Sequence, residues 1–343
     1  MNKTKMSILK LISLSMVIWF SPMTVQAKPS ITLKAADSFP VTHYVALETI
    51  RKFMDGLKEE INFQYYPSEQ IGKARDLLSL TQSGVVDIAY VAPGFVSEKM
   101  PLSTVAELPV GFTAACEATT AYWNMAKPGG VINKSEFVDN GVRPLFVLVL
   151  PPYQLMTRKP FSSLADLEGK RIRTSGAAKE LMVEKLQSVP VQMPTPDVYE
   201  SLHRGTIDGL LLAFNSLPPY ELDKVAKHST VGENFGSFVV TYVINDKKWN
   251  SLPVAVQEKM TLLGETITHN SCKAAEETEI RDMKSVEAEG LELVKLSPED
   301  KEQLRVAADE VAREWAGKLD RRGLSGTDTL NAFIEQLKRQ GIK

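Results

Sequence analysis

The stretch from Leu164 to Lys179 reads LADLEGKRIRTSGAAK, and it holds the residues best placed to do chemistry. Glu168-Gly169 reads as a turn and Lys170 to Thr174 as a short strand, with Ile172 on one side and Arg171 and Arg173 on the other. Thr174-Ser175-Gly176 then breaks the strand and opens a helix. An arginine at a strand end, followed at once by a helix N-terminus, suits an anion. The guanidinium offers a planar two-donor fork to a carboxylate, and the free N–H groups and positive end of the helix add to it. The alternative is a surface arginine paired with Asp166 or Glu168. Arg171, one residue past a lysine, reads as exposed.

Catalytic signals are missing. The sequence has no G-x-S-x-G elbow, no H-E-x-x-H, no P-loop and no Rossmann glycine fingerprint. Ser175-Gly176 follows a strand but lacks a paired base at any recognised spacing. The glutamates of 276–302 alternate with lysines and read as solvated helix faces. Cys116, Cys272 and the four histidines (His43, His203, His228, His269) show no metal-ligand spacing. Neither a metal nor a cofactor is expected, and the chain does not read as an enzyme. Both cysteines lie in segments that read as helical. Export would permit a disulfide, but nothing in the sequence brings the two together, and they read as buried free thiols.

The elements that must carry Arg173 follow an α/β pattern. Residues 31–36 alternate as a strand, 43–59 have helical spacing, 61–66 alternate again, 73–83 look helical up to Gly84, and 85–91 form a strand. This order implies a sheet with right-handed crossovers. Residues 145–150 are apolar on both faces, as in a covered strand. The pattern then restarts: strand 171–174, helix 177–187, strand 189–193, helix 197–204 ending near Gly205, and strand 206–213. Ser83-Gly84-Val85-Val86-Asp87 is echoed by Arg204-Gly205-Thr206-Ile207-Asp208, which raises the prospect of two lobes of similar plan. A cleft between two such lobes is a common setting for a small-molecule site. After a strand at 238–245, residues 254–289 hold no proline and only Gly264. They read either as one long brace across both lobes or as two helices broken near Gly264 or His269. Helices at 298–316 and 327–340 complete the chain.

Lys3, Lys5 and Lys10, the apolar run Ile8 to Phe20, and Val25-Gln26-Ala27 read as a secretory signal cleaved after Ala27. The apolar run is short for a membrane anchor. Without those three lysines, 37 basic and 42 acidic side chains leave a net charge near −5. No basic run or basic-aromatic stripe is present, so neither nucleic acid nor an anionic membrane surface is an expected partner. The mature chain is expected to be soluble and periplasmic.

Seven sequence pieces, in order, resemble a known family. They are Ala36-Asp37-Ser38-Phe39-Pro40 with His43, the loop from Tyr66 to Gly72, Gly84-x-x-Asp87-Ile88, and Leu167-x-Gly169-Lys170-x-Ile172-Arg173. Then come Met193-Pro194 with Val198-Tyr199-x-x-Leu202, Gly205-x-x-Asp208-Gly209, and Val243-Ile244-Asn245 leading to Trp249, Leu252-Pro253 and Gln257. From about residue 31 to about residue 320 the chain resembles the DctP-type solute-binding subunits of TRAP (tripartite ATP-independent periplasmic) transporters. The resemblance implies a two-lobed, class II-like periplasmic binding fold with a long helix spanning both lobes. Lobe I would take 28–149 and 238–277, lobe II 150–237 and 278–325, with 326–343 as a terminal helix. It implies capture of a small organic acid and delivery to TRAP permease subunits in the membrane, with Arg173 as the carboxylate-binding arginine. A sensory receptor would need the same capture step. An exported lyase or hydrolase would need a nucleophile and base that the sequence does not offer.

Two departures bear on the ligand. Sialic acid-binding members carry a second ligand arginine six residues before the position of Arg158, where this chain has Pro152. They carry an asparagine three residues after the Asp-Gly pair, where this chain has Leu212. Both changes imply a less polar ligand, a monocarboxylate with an aliphatic or aromatic body. Phe39, Tyr90, Tyr153, Phe214 and Phe235 are the candidates for apolar walls, and Thr195 for one hydroxyl contact.

Overall fold

The structure is a computed structural model that describes residues 31–342. The expected export signal lies outside the described residues.

Eleven strands form two sheets among these residues. The first joins β1 (Ile31–Ala36), β2 (Ile61–Tyr66), β3 (Ile88–Val91), β4 (Val142–Val149) and β10 (Val239–Asn245) in the order β2-β1-β3-β10-β4. The second joins β5 (Gln154–Thr157), β6 (Arg171–Thr174), β7 (Val189–Gln192), β8 (Gly209–Leu212), β9 (His228–Thr230) and β11 (Glu292–Val294) in the order β11-β9-β5-β8-β6-β7. In each sheet three parallel strands (β2, β1, β3 and β7, β6, β8) meet an antiparallel fourth, β10 or β5. The two sheets therefore share one plan.

The sequence echo marks equivalent corners of that plan. Gly84 and Gly205 both take positive φ, +76° and +73°, where a side chain would be strained. After each, an aspartate docks on a strand. The Lys34 N–H donates to Asp87 Oδ2 (2.8 Å) while the Asp87 N–H donates back to Lys34 O (3.0 Å). Arg171 and Asp208 repeat this at 2.9 and 2.8 Å. The strands expected from Val85 and Thr206 start later, at Ile88 and Gly209. The N–H groups of Val85 and Val86 close the preceding helix on Leu80 O, and those of Thr206 and Ile207 close theirs on Ser201 O, so none is left for a ladder.

Two chain crossings link the sheets and bond to each other. Leu150 N–H donates to Phe238 O (2.9 Å) and Tyr153 N–H to Gly236 O (2.7 Å). The helix Val254–Ala288 runs unbroken for 35 residues and is the third link. Gly264 is a packing notch and not a break: a methyl there would lie 2.1 Å from Leu145 O of β4. Near its other end, the Glu279 carboxylate accepts from the N–H groups of Phe214 (3.0 Å) and Asn215 (2.8 Å), just after β8.

The reading of the cysteines as free thiols is corrected. Cys116 and Cys272 form a disulfide with a Cα–Cα distance of 4.9 Å. Glu276 on the long helix accepts the Cys116 N–H (2.8 Å) and so pins the start of the helix Ala115–Ala126 beside Cys272. The helix Pro298–Arg321 then packs beside Ala177–Lys185 through Lys185, Glu310 and Glu314. Its Trp315 indole donates to Thr104 Oγ1 (2.9 Å), back toward the first sheet. The helix Gly326–Lys338 buries Phe333 and Leu337. Among the described residues no helix is long and apolar enough to cross a membrane.

Candidate functional site

Arg173 is wholly buried at the end of β6. Its Nε donates to Met193 O (2.9 Å), Nη1 to Leu211 O (3.4 Å) and Nη2 to Thr195 Oγ1 (3.1 Å). Three of five N–H groups are thus engaged, leaving one on each terminal nitrogen. Among the described residues no carboxylate pairs with it. Asp166 instead accepts from Ser162 and Ser163. Asp208 pairs with the exposed Arg171 at 3.0 Å. The alternative of a surface arginine paired with Asp166 or Glu168 therefore describes neither arginine, since Arg173 is buried and the exposed Arg171 pairs with Asp208. Burial pulls the Arg173 guanidinium below its ordinary pKa, opposed by the nearby Tyr153, Tyr220 and Tyr90. The residue remains a cation, because arginine does not deprotonate in proteins. Immediately after it, the hydroxyl of Thr174 is buried without a partner among the described residues, and that of Ser175 lies against the Tyr153 hydroxyl.

A narrow cavity between the two sheets reaches Thr195, the residue that holds Arg173 Nη2. It brings together Phe39, Tyr90, Tyr153, Thr195 and Leu212 from the expected set. Three further aromatics, Phe95, Tyr220 and Phe238, complete the wall, with Ser38 and Ser216 adding hydroxyls. Phe39 meets Tyr90 edge-on at 5.0 Å, and Phe95 meets Phe238 at 5.2 Å. Asp37 fixes Phe39 from behind: its carboxylate accepts from the Phe39 N–H (2.9 Å), Tyr242 OH (2.6 Å) and Tyr65 OH (3.1 Å). Burial pushes the Asp37 carboxyl up to about 6, and those three donors restrain it.

Arg173 itself is not among the residues that line this cavity, and Phe214 and Phe235 are not brought to it. Phe235 is fully buried, and its N–H holds Tyr153 O (3.1 Å). Phe214 lines a more open groove with Pro152, Phe112, Ile280 and Met283. That groove is lined by Glu233, Glu276 and Glu279 and by no lysine or arginine, and Lys301 pairs with Glu233 alone (3.1 Å), so its balance has the wrong sign for an organic acid. Of the two departures, Leu212 faces the cavity and Pro152 the groove. Phe95, Tyr220 and Phe238 escaped sequence reasoning because short prolyl turns and a strand start carry no local sign of a cleft.

With this geometry in place, comparisons with known proteins are decisive. Residues 37–318 match the family described as Bacterial extracellular solute-binding protein, family 7 (DctP). The chain belongs to that family. Among solved structures, a marine metagenome TRAP solute-binding protein specific for aromatic acid ligands, solved with metahydroxyphenylacetate, superposes with a TM-score of 0.83. It is 22% identical, covering 90% of this chain and 99% of that one. A TRAP solute-binding protein from Rhodoferax ferrireducens, solved with copurified benzoate, gives 0.82 at 21% identity, covering 91% and 99%. At this identity the likeness concerns the fold: the two-lobed periplasmic binding architecture. Among curated sequences, the uncharacterized protein YiiZ of Salmonella typhimurium is 30% identical over 161 residues, 44% of this chain and 46% of its own length. The ectoine-binding periplasmic protein TeaA of Halomonas elongata is 20% identical over 285 residues, 80% of each chain.

Proposed function

We propose that this family 7 protein is a periplasmic receptor, not an enzyme, that captures an aromatic monocarboxylate and hands it to a TRAP-type permease. One observation carries the reading: Arg173 is a buried cation without a counter-ion, with two N–H groups unengaged. An uncompensated buried charge is costly, and a bound carboxylate supplies what the fold withholds. The cavity beside it is walled by Phe39, Tyr90, Tyr153, Tyr220 and Phe238, which suit a flat ring in offset or edge-on contact. Leu212, where sialic acid binders have an asparagine, gives no partner to a sugar hydroxyl. Relatives of the same fold that bind benzoate, hydroxybenzoate and mandelate support this class.

In use, the halves close on the acid because contacts to both exist only in the closed form. A thermal-shift and calorimetric screen of benzoate, 3-hydroxybenzoate, mandelate, galacturonate and ectoine tests the reading. An aromatic acid at about 100 times its dissociation constant should add about 2.7 kcal/mol of stability and be recovered unchanged. Stabilisation by galacturonate or ectoine alone would overturn it.

A further inference from the structure

Behind the ligand wall lies a second buried cation that the receptor reading does not use. Lys179, on the helix that follows β6, is fully buried, and its Nζ lies 2.7 Å from Oε2 of the fully buried Glu107. Glu107 belongs to the segment between β3 and β4, so the pair joins the half built on the second sheet to the half built on the first. The ammonium also donates to Ser237 O (2.6 Å) in the crossing strand. Glu107 Oε1 accepts the Val239 N–H (3.3 Å), and Glu107 O accepts the Ser237 N–H (3.1 Å).

Backbone meets backbone beside this pair. A methyl at Gly94 would lie 2.6 Å from Ser175 O, and one at Gly176 would lie 3.0 Å from the Gly94 Cα. Only glycines permit this approach of the two halves. Lys179 Nζ also lies 5.8 Å from the Tyr153 ring centroid and 5.5 Å from that of Phe238, two rings that line the ligand cavity. The pair therefore touches both the meeting surface of the halves and the rear of the binding site.

We propose that Lys179 and Glu107 form a clasp between the two halves, made on closure, that couples capture of the acid to the closed form. This rests on the receptor reading above. Burial holds the Lys179 ammonium below its ordinary pKa and Glu107 opposes that; the Arg173 charge adds a smaller repulsion of its own, and this supplies the coupling. A carboxylate on Arg173 cancels that repulsion, so a filled site favours the clasp. In the open form both side chains reach water. In the closed form each needs the other, because a lone buried charge is strongly unfavourable.

The test uses benzoate as probe and the full mature chain carrying Lys179→Met, Glu107→Gln or both. Calorimetry reads affinity, small-angle scattering reads compaction, and thermal unfolding without ligand reads the open form. Either single variant should bind benzoate at least tenfold more weakly and compact less at a fixed concentration. Its ligand-free unfolding midpoint should stay near that of the native chain. The double variant should regain most of the affinity, since neither charge is then buried alone. Native affinity and compaction in both single variants would overturn the clasp. So would a ligand-free midpoint more than about 5 °C lower in either, which marks a permanent strut. If the native chain ignores benzoate, the aromatic-acid reading fails by itself, and the ligand-free midpoints still decide the clasp.

Discussion

Arg173, the proposed carboxylate ligand, is already held by Met193, Leu211 and Thr195. That scaffolding turns a flexible side chain into a fixed fork, so little rotamer freedom is lost when a carboxylate arrives. Arg173→Ala should cost on the order of 2–5 kcal/mol in acid affinity, measured by calorimetry against benzoate. Arg173→Lys should restore little, because an ammonium cannot hold Met193 O, Thr195 and a carboxylate in one plane. Near-native affinity in the alanine variant would remove Arg173 from the site. Asp37 works one step back, holding Phe39 through the backbone and bracing Tyr65 and Tyr242.

Buried carboxylates also tie elements together. Glu279 closes the turn at Phe214 and Asn215, and Glu136 accepts the N–H groups of Leu102 (2.5 Å) and Ser103 (2.8 Å). Burial pushes Glu279 and Glu136 up to about 7, beside Asp37 at about 6. Each binds its proton more tightly folded than unfolded. The stability this gives is full below about pH 4 and is lost as pH rises through 6 to 7, on the order of 1–3 kcal/mol per group. The unfolding midpoint should therefore be higher at pH 5 than at pH 8, and Glu279→Gln should reduce that difference. A flat profile in calorimetric scans would contradict this. Gly264 makes a second element-scale case. Glycine to alanine inside a helix ordinarily gains up to about 1 kcal/mol. Here the methyl would strike Leu145 O, so Gly264→Ala should destabilise by about 1–3 kcal/mol in denaturant titration.

At the scale of the whole molecule, the two bonded chain crossings, the long helix and the packing of Pro298–Arg321 hold two sheets of one plan. The Cys116–Cys272 disulfide ties the long helix to Ala115–Ala126 across a sequence separation of 156. Closing so long a loop restricts the unfolded chain strongly. The Cys116→Ser/Cys272→Ser variant should lose about 2–5 kcal/mol of stability. Its benzoate affinity should stay within about threefold, because neither cysteine lines the cavity. A comparable loss of affinity would place the disulfide in the closing motion.

Local pattern determined a good deal of this protein. Strands 31–36, 61–66 and 171–174 stand where period-two alternation puts them, because alternation reports which face is buried. The Gly-x-x-Asp echo found two equivalent corners, because a positive-φ glycine and an aspartate docking on a strand act within a few residues. The placing of Arg173 at a strand end before a helix was legible for a like reason, since strand, charge and helix start are neighbours in sequence; its burial was not. Tertiary structure alone decided the rest. Whether residues 254–288 break at Gly264 depended on the backbone of β4 passing beneath them. The cysteines paired because two helices far apart in sequence meet. Tyr220 and Phe238 joined the cavity, Phe214 and Phe235 did not, and Lys179 found Glu107. The Lys179–Glu107 pair spans 72 residues and the disulfide 156, and a buried aromatic or charge looks alike in sequence whether it faces a core, a groove or a ligand.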